Sequence, residues 1–187
     1  MPVVSARGLG LRTRRGWVFQ DVDLEVGPGD LVALTGPAAS GRTSLLLALA
    51  GHFAVSAGVL RRAGGSGVGL VPGVNEPESG LTAGEHVRER QLLLGLPRRP
   101  VDDLPVDRRT LGRDLTPYQR QRLMLRLATL DRPALVVADD VDLALSTVER
   151  KELWRELNDL AGQGYAVVAS CREPAGPAIE HAMEGQR

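Results

Sequence analysis

Lysine, cysteine and aromatic residues are scarce in this sequence of 187 residues. Lys151 is its only lysine, so arginine carries nearly all of the positive charge. Cys171 is its only cysteine, which excludes an internal disulfide and fits a reducing compartment. Aromatic residues make up 3% of the chain, which argues against a surface that stacks nucleic-acid bases on aromatic rings.

Net charge and long apolar runs are also missing. The 23 basic residues balance 23 acidic ones, so bulk electrostatics gives no reason to expect a nucleic-acid partner. No apolar run approaches the length of a membrane span, and the N-terminus lacks a continuous stretch typical of a signal peptide. We therefore expect one domain, residues 1–187, that is soluble or reaches a membrane only through a partner.

The stretch GPAASGRTS carries the main chemical signal. It follows an apolar run at 31–35 and precedes a helical run at 45–50 that Gly51 closes. This order of strand, glycine-bounded loop and helix is typical of a phosphate-binding loop, because glycines let successive N–H groups point inward and a helix N-terminus adds partial positive charge. The predicted nucleotide-binding residues are Gly36, Pro37, Ala38, Ala39, Ser40, Gly41, Arg42, Thr43 and Ser44.

The loop departs from the usual motif G-x-x-x-x-G-K-[ST] at one position. Gly36 and Gly41 match the glycines and Thr43 matches the magnesium-binding hydroxyl, but Arg42 replaces the lysine. Lysine presents a compact charge and arginine a planar fork, so the two are not interchangeable at a tight site. Two interpretations stay open: drift in a chain that uses almost no lysine, or release of the site from catalysis.

Hydrophobic patterns predict alternating strands and helices, and hence a mostly parallel α/β sheet. Strands are expected at 3–12, 17–26, 31–35, 58–63, 68–71, 135–138 and 165–170. Helices are expected at 45–50, 83–94, 116–130 and 146–161, with Thr82 and Ser146 as N-caps. Residues 95–114 are expected to be irregular or briefly helical, and the polar tail after Cys171 is expected to be loosely ordered.

Four segments, taken together, resemble the nucleotide-binding domain of ATP-binding cassette (ABC) transporters over about residues 3–172. They read FQDVDLEVGPGDLVALTGPAASGRTSLLLALAG through the phosphate loop, VGLVPG followed by LTAGEHV in the Q-loop region, LTPYQRQRLMLRLATL in the signature helix, and RPALVVADDVDLAL in the Walker B strand and D-loop. All four occur in family order and near family spacing.

The resemblance implies a P-loop NTPase fold of the ABC ATPase type, in which an N-terminal antiparallel β part joins the mostly parallel sheet and a small helical subdomain occupies about residues 74–131. It implies ATP and Mg²⁺ as cofactors, a homo- or heterodimer of cassette domains, and a membrane permease as partner at the inner face of the cell membrane. In such a dimer, the phosphate loop and Walker B acids of one domain face the signature motif of the other.

The resemblance also implies roles for the acids of the Walker B segment. Asp139 matches the magnesium-side aspartate and would hold the metal together with Thr43. Asp140 stands at the position of the catalytic glutamate, and is one methylene shorter. Because a displacement of about 1 Å at a reacting centre can cost on the order of 100-fold in rate, both a weak base and an inert acid stay open for Asp140.

Two more catalytic positions depart from the family pattern. Gly73 stands at the position of the Q-loop glutamine and has no side chain, which leaves Asn75 or Glu76 as substitutes. Cys171 stands at the position of the switch histidine, where a neutral thiol is a poor hydrogen-bond donor, and we expect it to be a small buried residue.

The signature motif is altered as well. Its predicted residues are Thr116, Pro117, Tyr118 and Gln119, of which Pro117 has no N–H and Tyr118 places a ring where a glycine would admit a phosphate. Ser146 replaces the D-loop aspartate.

We therefore expect an ATP-binding ABC transporter subunit in which hydrolysis is impaired or absent. The alternative is a regulatory or scaffold pseudo-ATPase that does not need nucleotide. A phosphate-loop kinase or GTPase is a poor fit, because the sequence has no evident guanine-reading motif.

Overall fold

The computed structural model describes residues 1–185, which form two sheets flanked by helices. In chain order the elements are β1 (Val4–Thr13), β2 (Gly16–Val26), β3 (Leu31–Thr35), α1 (Arg42–Ala50), β4 (Ala57–Arg62), β5 (Ser66–Val68), α2 (Ala83–Leu93), a short 3-10 helix (Gly112–Asp114), α3 (Pro117–Ala128), β6 (Leu135–Ala138), α4 (Thr147–Gly162), β7 (Ala166–Ser170) and β8 (Ile179–Ala182). Apart from the corrections below, the predicted elements are present within a few residues of their expected bounds.

The smaller sheet is antiparallel, with strand order β2-β1-β4. The larger sheet has the order β5-β6-β7-β3-β8, and each neighbouring pair in it is parallel. Because parallel strands end at one edge of a sheet, the segments that follow β3, β6 and β7 meet there. Leu34 pairs with Ser170 and Ala138 pairs with Ala169, which brings the phosphate loop, Asp139 and Cys171 together.

The parallel sheet is covered on both faces, as its near-continuous apolar strands require. Helix α1 packs in one hydrophobic cluster with residues of β1, β2 and β3, and its last six residues are all buried. Helix α4 packs in another cluster through Leu153, Trp154 and Leu157. The Leu- and Ala-rich α1 is therefore a core helix, while α4 has one buried face and one exposed face.

Local caps set where the other helices begin. Thr82, Thr116 and Ser146 each accept a hydrogen bond from the backbone N–H three residues later, at the start of α2, α3 and α4. A Glu or Gln at that third position reaches back to the N-cap backbone, which completes a capping box in each case. Pro117 stands at the first position of α3, where its missing N–H costs no helical hydrogen bond.

The expectation of a loosely ordered tail is wrong for β8. This strand pairs with β3, and the Met183 N–H donates to the Thr35 carbonyl at 2.8 Å. The signal was missed because β8 is a short edge strand with exposed Ile179 and Glu180, while Met183, which carries the burial, lies just beyond it. Residues 186 and 187 of the tail lie outside the described residues.

The strand expected at 68–71 lies earlier, at Ser66–Val68. One further hydrogen bond, from the Gly69 N–H to the Val137 carbonyl, continues its pairing with β6. Val71 then forms only an isolated bridge with Asn75, because the chain turns there. Among residues 1–185, no helix has both the length and the apolar character to cross a membrane.

Candidate phosphate-binding site

The phosphate loop needs glycine at both of its ends. Gly36 has a φ of 138°, and a Cβ there would lie 2.5 Å from the Met183 carbonyl oxygen. Gly41 has a φ of 87°, and a Cβ there would collide with the Val18 carbonyl oxygen. The loop is thus held between β8 and β2, and any other residue at either end would be strained and sterically excluded.

The N-terminus of α1 differs from those of α2, α3 and α4. Within residues 1–185 no side chain caps it, and its first helical hydrogen bond runs from the Leu45 N–H to the Gly41 carbonyl at 2.8 Å. The N–H groups of residues 42–44 therefore have no helical acceptor. The Ser40 hydroxyl is also buried without a hydrogen-bond partner among the described residues. Unpaired donors beside a helix N-terminus fit a phosphate group.

Arg42 joins the loop to two neighbouring segments. Its Nη1 donates to the Gly36 carbonyl at 2.6 Å and to the Cys171 carbonyl at 3.0 Å. Its Nη2 lies 3.4 Å from the Asp140 Oδ1, and only 13% of the Arg42 side chain is exposed. The planar fork therefore bridges the loop, the end of β7 and the Walker B acid, which a compact ammonium would not do in the same geometry.

Thr43 and Asp139 meet at the loop as expected for a metal pair. The Thr43 hydroxyl donates to Asp139 Oδ2 at 2.6 Å, and Asp139 is 2% exposed. Mg²⁺ prefers hard oxygen ligands and is usually held by one or two protein groups, with phosphate and water completing its shell. Within residues 1–185 there is no cluster of three or more His, Cys, Asp or Glu residues that could cage a metal alone. The pair therefore fits Mg²⁺ delivered with a phosphate ligand.

Asp140 begins the turn that follows β6, with a left-handed backbone φ of 42°. Its N–H donates to the Ser170 hydroxyl at 2.8 Å, and the Gln121 amide reaches the carbonyls of Asp139 and Asp140, each at 3.4 Å. Burial and the neighbouring Asp139 charge raise the pKa of the Asp140 carboxyl, and Arg42 offsets part of that rise.

The Q-loop region offers one candidate substitute for the missing glutamine. Gly73 is exposed, and the Asn75 amide is committed to the carbonyls of Val68 and Gly69 at 3.0 and 2.7 Å. Glu76 accepts the Gly73 N–H and lines a cleft of about 190 Å³ that also contains Asp140. Of the two substitutes considered from sequence, only Glu76 shares a cleft with the Walker B acid.

Cys171 is fully buried, as expected. Burial raises the pKa of its thiol to about 12, with a further contribution from the Asp142 charge, so the thiol is neutral near pH 7. The part of Cys171 that reaches the site is its backbone carbonyl, which accepts from Arg42. The switch-histidine position therefore contributes no charged side chain.

The signature segment is arranged differently from what the sequence suggests. Thr116 caps α3 and the Gln119 side chain accepts the Thr116 N–H at 3.0 Å. The Tyr118 ring turns onto α4 instead of standing over the segment: its hydroxyl donates to Glu156 at 3.2 Å, and Arg122 lies 5.4 Å from the ring centroid. Burial, followed by the Glu156 charge, raises the pKa of Tyr118 to about 12.

Sequence reasoning missed Ser170 and assigned Gln121 no role, although both are buried and hold the Walker B turn. Ser170 is the last residue of an otherwise apolar strand. A polar residue at the carboxyl end of a buried parallel strand, beside the strand that ends in the two acids, is the signal that could have identified it.

Comparison with known proteins points to one family. The sequence model described as ABC transporter matches residues 19–142. The chain is 29% identical over 180 residues to the zinc import ATP-binding protein ZnuC of Ruegeria pomeroyi, covering 89% of this chain and 68% of ZnuC. It is 32% identical over 158 residues to the aliphatic sulfonates import ATP-binding protein SsuB 1 of Rhodococcus jostii, covering 76% of this chain and 61% of that protein.

Solved structures share the fold. An ATP-binding subunit of an ABC transporter matches with a TM-score of 0.72 at 20% identity, over 90% of this chain and 79% of that one. A nucleotide-free ATP-binding cassette from an ABC transporter matches with a TM-score of 0.75 at 13% identity, over 91% and 81%. These matches confirm the predicted P-loop NTPase fold of the ABC ATPase type.

Proposed function

The chain belongs to the ABC transporter family, and we propose that it is an ATP-binding subunit that binds Mg-ATP but hydrolyses it slowly or not at all. One observation carries the proposal that the chain binds Mg-ATP. The N-terminus of α1 is uncapped, and it lies behind a loop whose two ends only glycine can form. Thr43 and Asp139 supply the hydroxyl and carboxylate that Mg²⁺ needs beside the phosphates.

The loss of hydrolysis is proposed from what surrounds the Walker B acid. In phosphoryl transfer the protein positions water, holds magnesium and neutralises developing charge. Asp140 is one methylene shorter than glutamate and its carboxylate contacts Arg42, so it is poorly placed to orient a water. Gly73 has no side chain to do so, and Cys171 presents a neutral buried thiol instead of an imidazole.

The signature segment, at the start of α3, also departs from what phosphate binding needs. Pro117 has no N–H, and the Gln119 N–H is bonded to the Thr116 hydroxyl at 3.2 Å. The start of α3 therefore has few free donors for a phosphate presented by a partner domain. In a mixed dimer, one composite site would contain Arg42 and Asp140 and the other would contain Pro117, so a complete partner domain would not fully rescue turnover.

We further propose that the chain is a single domain, residues 1–187, with a helical subdomain at about 74–131. In support of this, α2, α3 and the segment between them share a hydrophobic cluster of their own. Apart from Leu70, which precedes the subdomain, its buried members lie within it: Ala83, Val87, Val101, Leu115, Leu123, Met124 and Leu127.

The partner we propose is a membrane permease, which would place the chain in the cytoplasm at the inner membrane face. Leu92 and Leu93, at the end of α2, are 75% and 73% exposed. Leu93 also lines a cleft of about 610 Å³ that runs from the Q-loop region to α3. Exposed leucines beside a cleft are suited to an apolar partner surface.

Substituting Leu92→Ser and Leu93→Ser together is expected to reduce cosedimentation of the chain with membranes of its own source by at least about tenfold, since fully burying one leucine contributes about 1.5–3 kcal/mol and a factor of ten is about 1.4 kcal/mol. Val59→Ser is the matched control, because Val59 is also exposed, at 55%, but lies on β4 of the antiparallel sheet instead of on α2. Unchanged cosedimentation of the double variant would remove α2 as the docking surface.

Equilibrium binding of Mg-ATP, titrated to millimolar ligand, tests the proposed function. Saturable binding by the wild-type chain, weakened by Thr43→Ala, is the expected result. No binding at those concentrations would contradict the proposal and leave the cassette as a protein scaffold.

A further inference from the structure

We propose that Ser170 is a positioning residue for the magnesium site: it orients the Asp139 carboxylate and holds the Asp140 backbone at the same time. This inference rests on the proposed function, because it concerns the metal that accompanies ATP. Ser170 ends β7, is fully buried, and lies between the two acids although 30 residues separate it from Asp140 in the chain.

The Ser170 hydroxyl makes two different hydrogen bonds. It donates its proton to Asp139 Oδ1 in a short contact, and it accepts the Asp140 N–H at 2.8 Å. A hydroxyl can do both because it combines one donor with two acceptor lone pairs. Alanine at this position would break both bonds and leave a partly buried N–H without its acceptor.

The Asp139 carboxylate is thereby fixed at both oxygens. Oδ1 accepts from Ser170 on β7, and Oδ2 accepts from Thr43 on α1 at 2.6 Å. Without Ser170 the carboxylate could rotate about its bond to Cβ, and Oδ2 would no longer be held toward Thr43. Groups that hydrogen-bond a metal ligand orient it, and losing one typically costs on the order of 10–100-fold in metal affinity.

The second bond acts on the backbone. Asp140 adopts a left-handed conformation, with a φ of 42°, which is strained for a residue with a Cβ, although Asp tolerates it better than most. The Ser170 acceptor and the Gln121 amide hold this turn from two different elements, β7 and α3. Ser170 therefore links the direction of the metal ligand to the path of the next residue.

The experiment compares wild type, Ser170→Ala, Ser170→Thr and Ser66→Ala. Ser66 is the matched control: it lies on β5 of the same sheet, and its hydroxyl donates to the Ala50 carbonyl at 2.6 Å, away from the acids. ATP affinity is measured across a Mg²⁺ titration and again in EDTA. Exchange of the Asp140 amide hydrogen is followed by NMR without nucleotide.

Ser170→Ala is expected to raise the Mg²⁺ concentration for half-maximal stimulation of ATP binding by at least about tenfold, with affinity in EDTA unchanged. Its Asp140 amide is expected to exchange faster, while Ser66→Ala behaves as wild type in both readouts. Ser170→Thr, which keeps the hydroxyl, is expected to restore the Mg²⁺ response.

A wild-type Mg²⁺ response in Ser170→Ala would overturn the positioning role while leaving ATP binding intact. If wild type binds no ATP, the proposed function fails. The exchange rate of the Asp140 amide hydrogen then tests the role of Ser170 by itself. Faster exchange in Ser170→Ala only, and not in Ser66→Ala, would then support Ser170 as the holder of the turn, and unchanged exchange would overturn it.

Discussion

At the scale of single residues, Arg42 links the phosphate loop to the segments that follow β6 and β7. Its guanidinium contacts Gly36 within the loop, Cys171 at the end of β7 and the carboxylate of Asp140. A charged hydrogen bond of this kind is stronger than a neutral one, and 13% exposure limits its screening by solvent. In the proposed site, the residue at the phosphate-contacting position, Arg42, and the residue at the base position, Asp140, therefore contact each other.

The double variant Arg42→Lys, Asp140→Glu tests whether these two residues alone limit hydrolysis. We expect less than about a tenfold gain in ATP turnover, equivalent to about 1.4 kcal/mol of barrier, because Gly73, Cys171 and Pro117 would still be in place. Turnover is measured by phosphate release at saturating Mg-ATP, with Arg61→Lys as a control at an exposed arginine. A large gain would mean that the rest of the site is catalytically intact.

Local geometry could be predicted from sequence where a motif fixes residue type and spacing: Gly36 and Gly41 bound a tight loop, and Thr43 and Asp139 lie together. Contacts between distant segments could not. Nothing in the sequence indicates that Arg42 reaches the Cys171 carbonyl or that Tyr118 turns onto α4. Each of these depends on tertiary packing of elements far apart in the chain.

At the scale of elements, a clasp joins the signature helix α3 to α4. Tyr118 donates to Glu156, the Arg122 Nε lies 2.6 Å from the same Glu156 oxygen, and Arg122 also stacks over the Tyr118 ring. These contacts hold the Tyr118 ring against α4, away from the side of the signature segment where a phosphate would approach. Motion of α3 would therefore be coupled to α4, which packs on the parallel sheet.

The clasp predicts a specific dependence of stability on pH. The pKa of Tyr118 is about 12 in the folded protein and about 10 when unfolded, so folding favours the protonated phenol. This contribution is fully present below about pH 10 and is lost as the pH rises through 12. The unfolding temperature of wild type should exceed that of Tyr118→Phe near pH 8, and the difference should shrink above pH 10.

Tyr165→Phe is the control for this comparison, since Tyr165 lies just before β7, packs against the hydrophobic cluster that includes Leu153 and Trp154 of α4, and is outside the clasp. Because this variant retains Tyr118, its unfolding temperature should fall towards that of Tyr118→Phe above pH 10, as the wild-type value does. A constant difference between wild type and Tyr118→Phe from pH 8 to 11.5 would contradict the raised pKa.

Helices and strands could be predicted from sequence where capping residues and hydrophobic pattern agree. Strand β8 is a case in which the local sequence pattern does not indicate a strand. The capping boxes at Thr82, Thr116 and Ser146 are visible in sequence as a Thr or Ser followed three residues later by Glu or Gln. In β8 the isolated apolar Ile179, the polar Glu180 that follows it and the neighbouring prolines suggest a coil from sequence. Its formation depends on pairing with β3, a contact that local patterns do not record.

At the scale of the whole molecule, the fold of an ATP-binding cassette is present, and the loss of hydrolysis that we propose rests on positions that depart from the family pattern. The two sheets bring the glycine-bounded loop and the Thr43–Asp139 pair together, which supports the proposed binding of Mg-ATP. The altered positions lie on both surfaces that would form composite sites in a dimer. We therefore expect the protein to retain bound ATP instead of hydrolysing it.

The fate of bound nucleotide tests this claim most directly. The chain is incubated with Mg-ATP for hours, separated from free ligand, and the nucleotide that remains bound is identified, with Thr43→Ala as the variant expected to retain little. Recovery of intact ATP near one equivalent per chain is the predicted result. Recovery of ADP, with phosphate released in many equivalents, would contradict the account and make the chain an active ATPase.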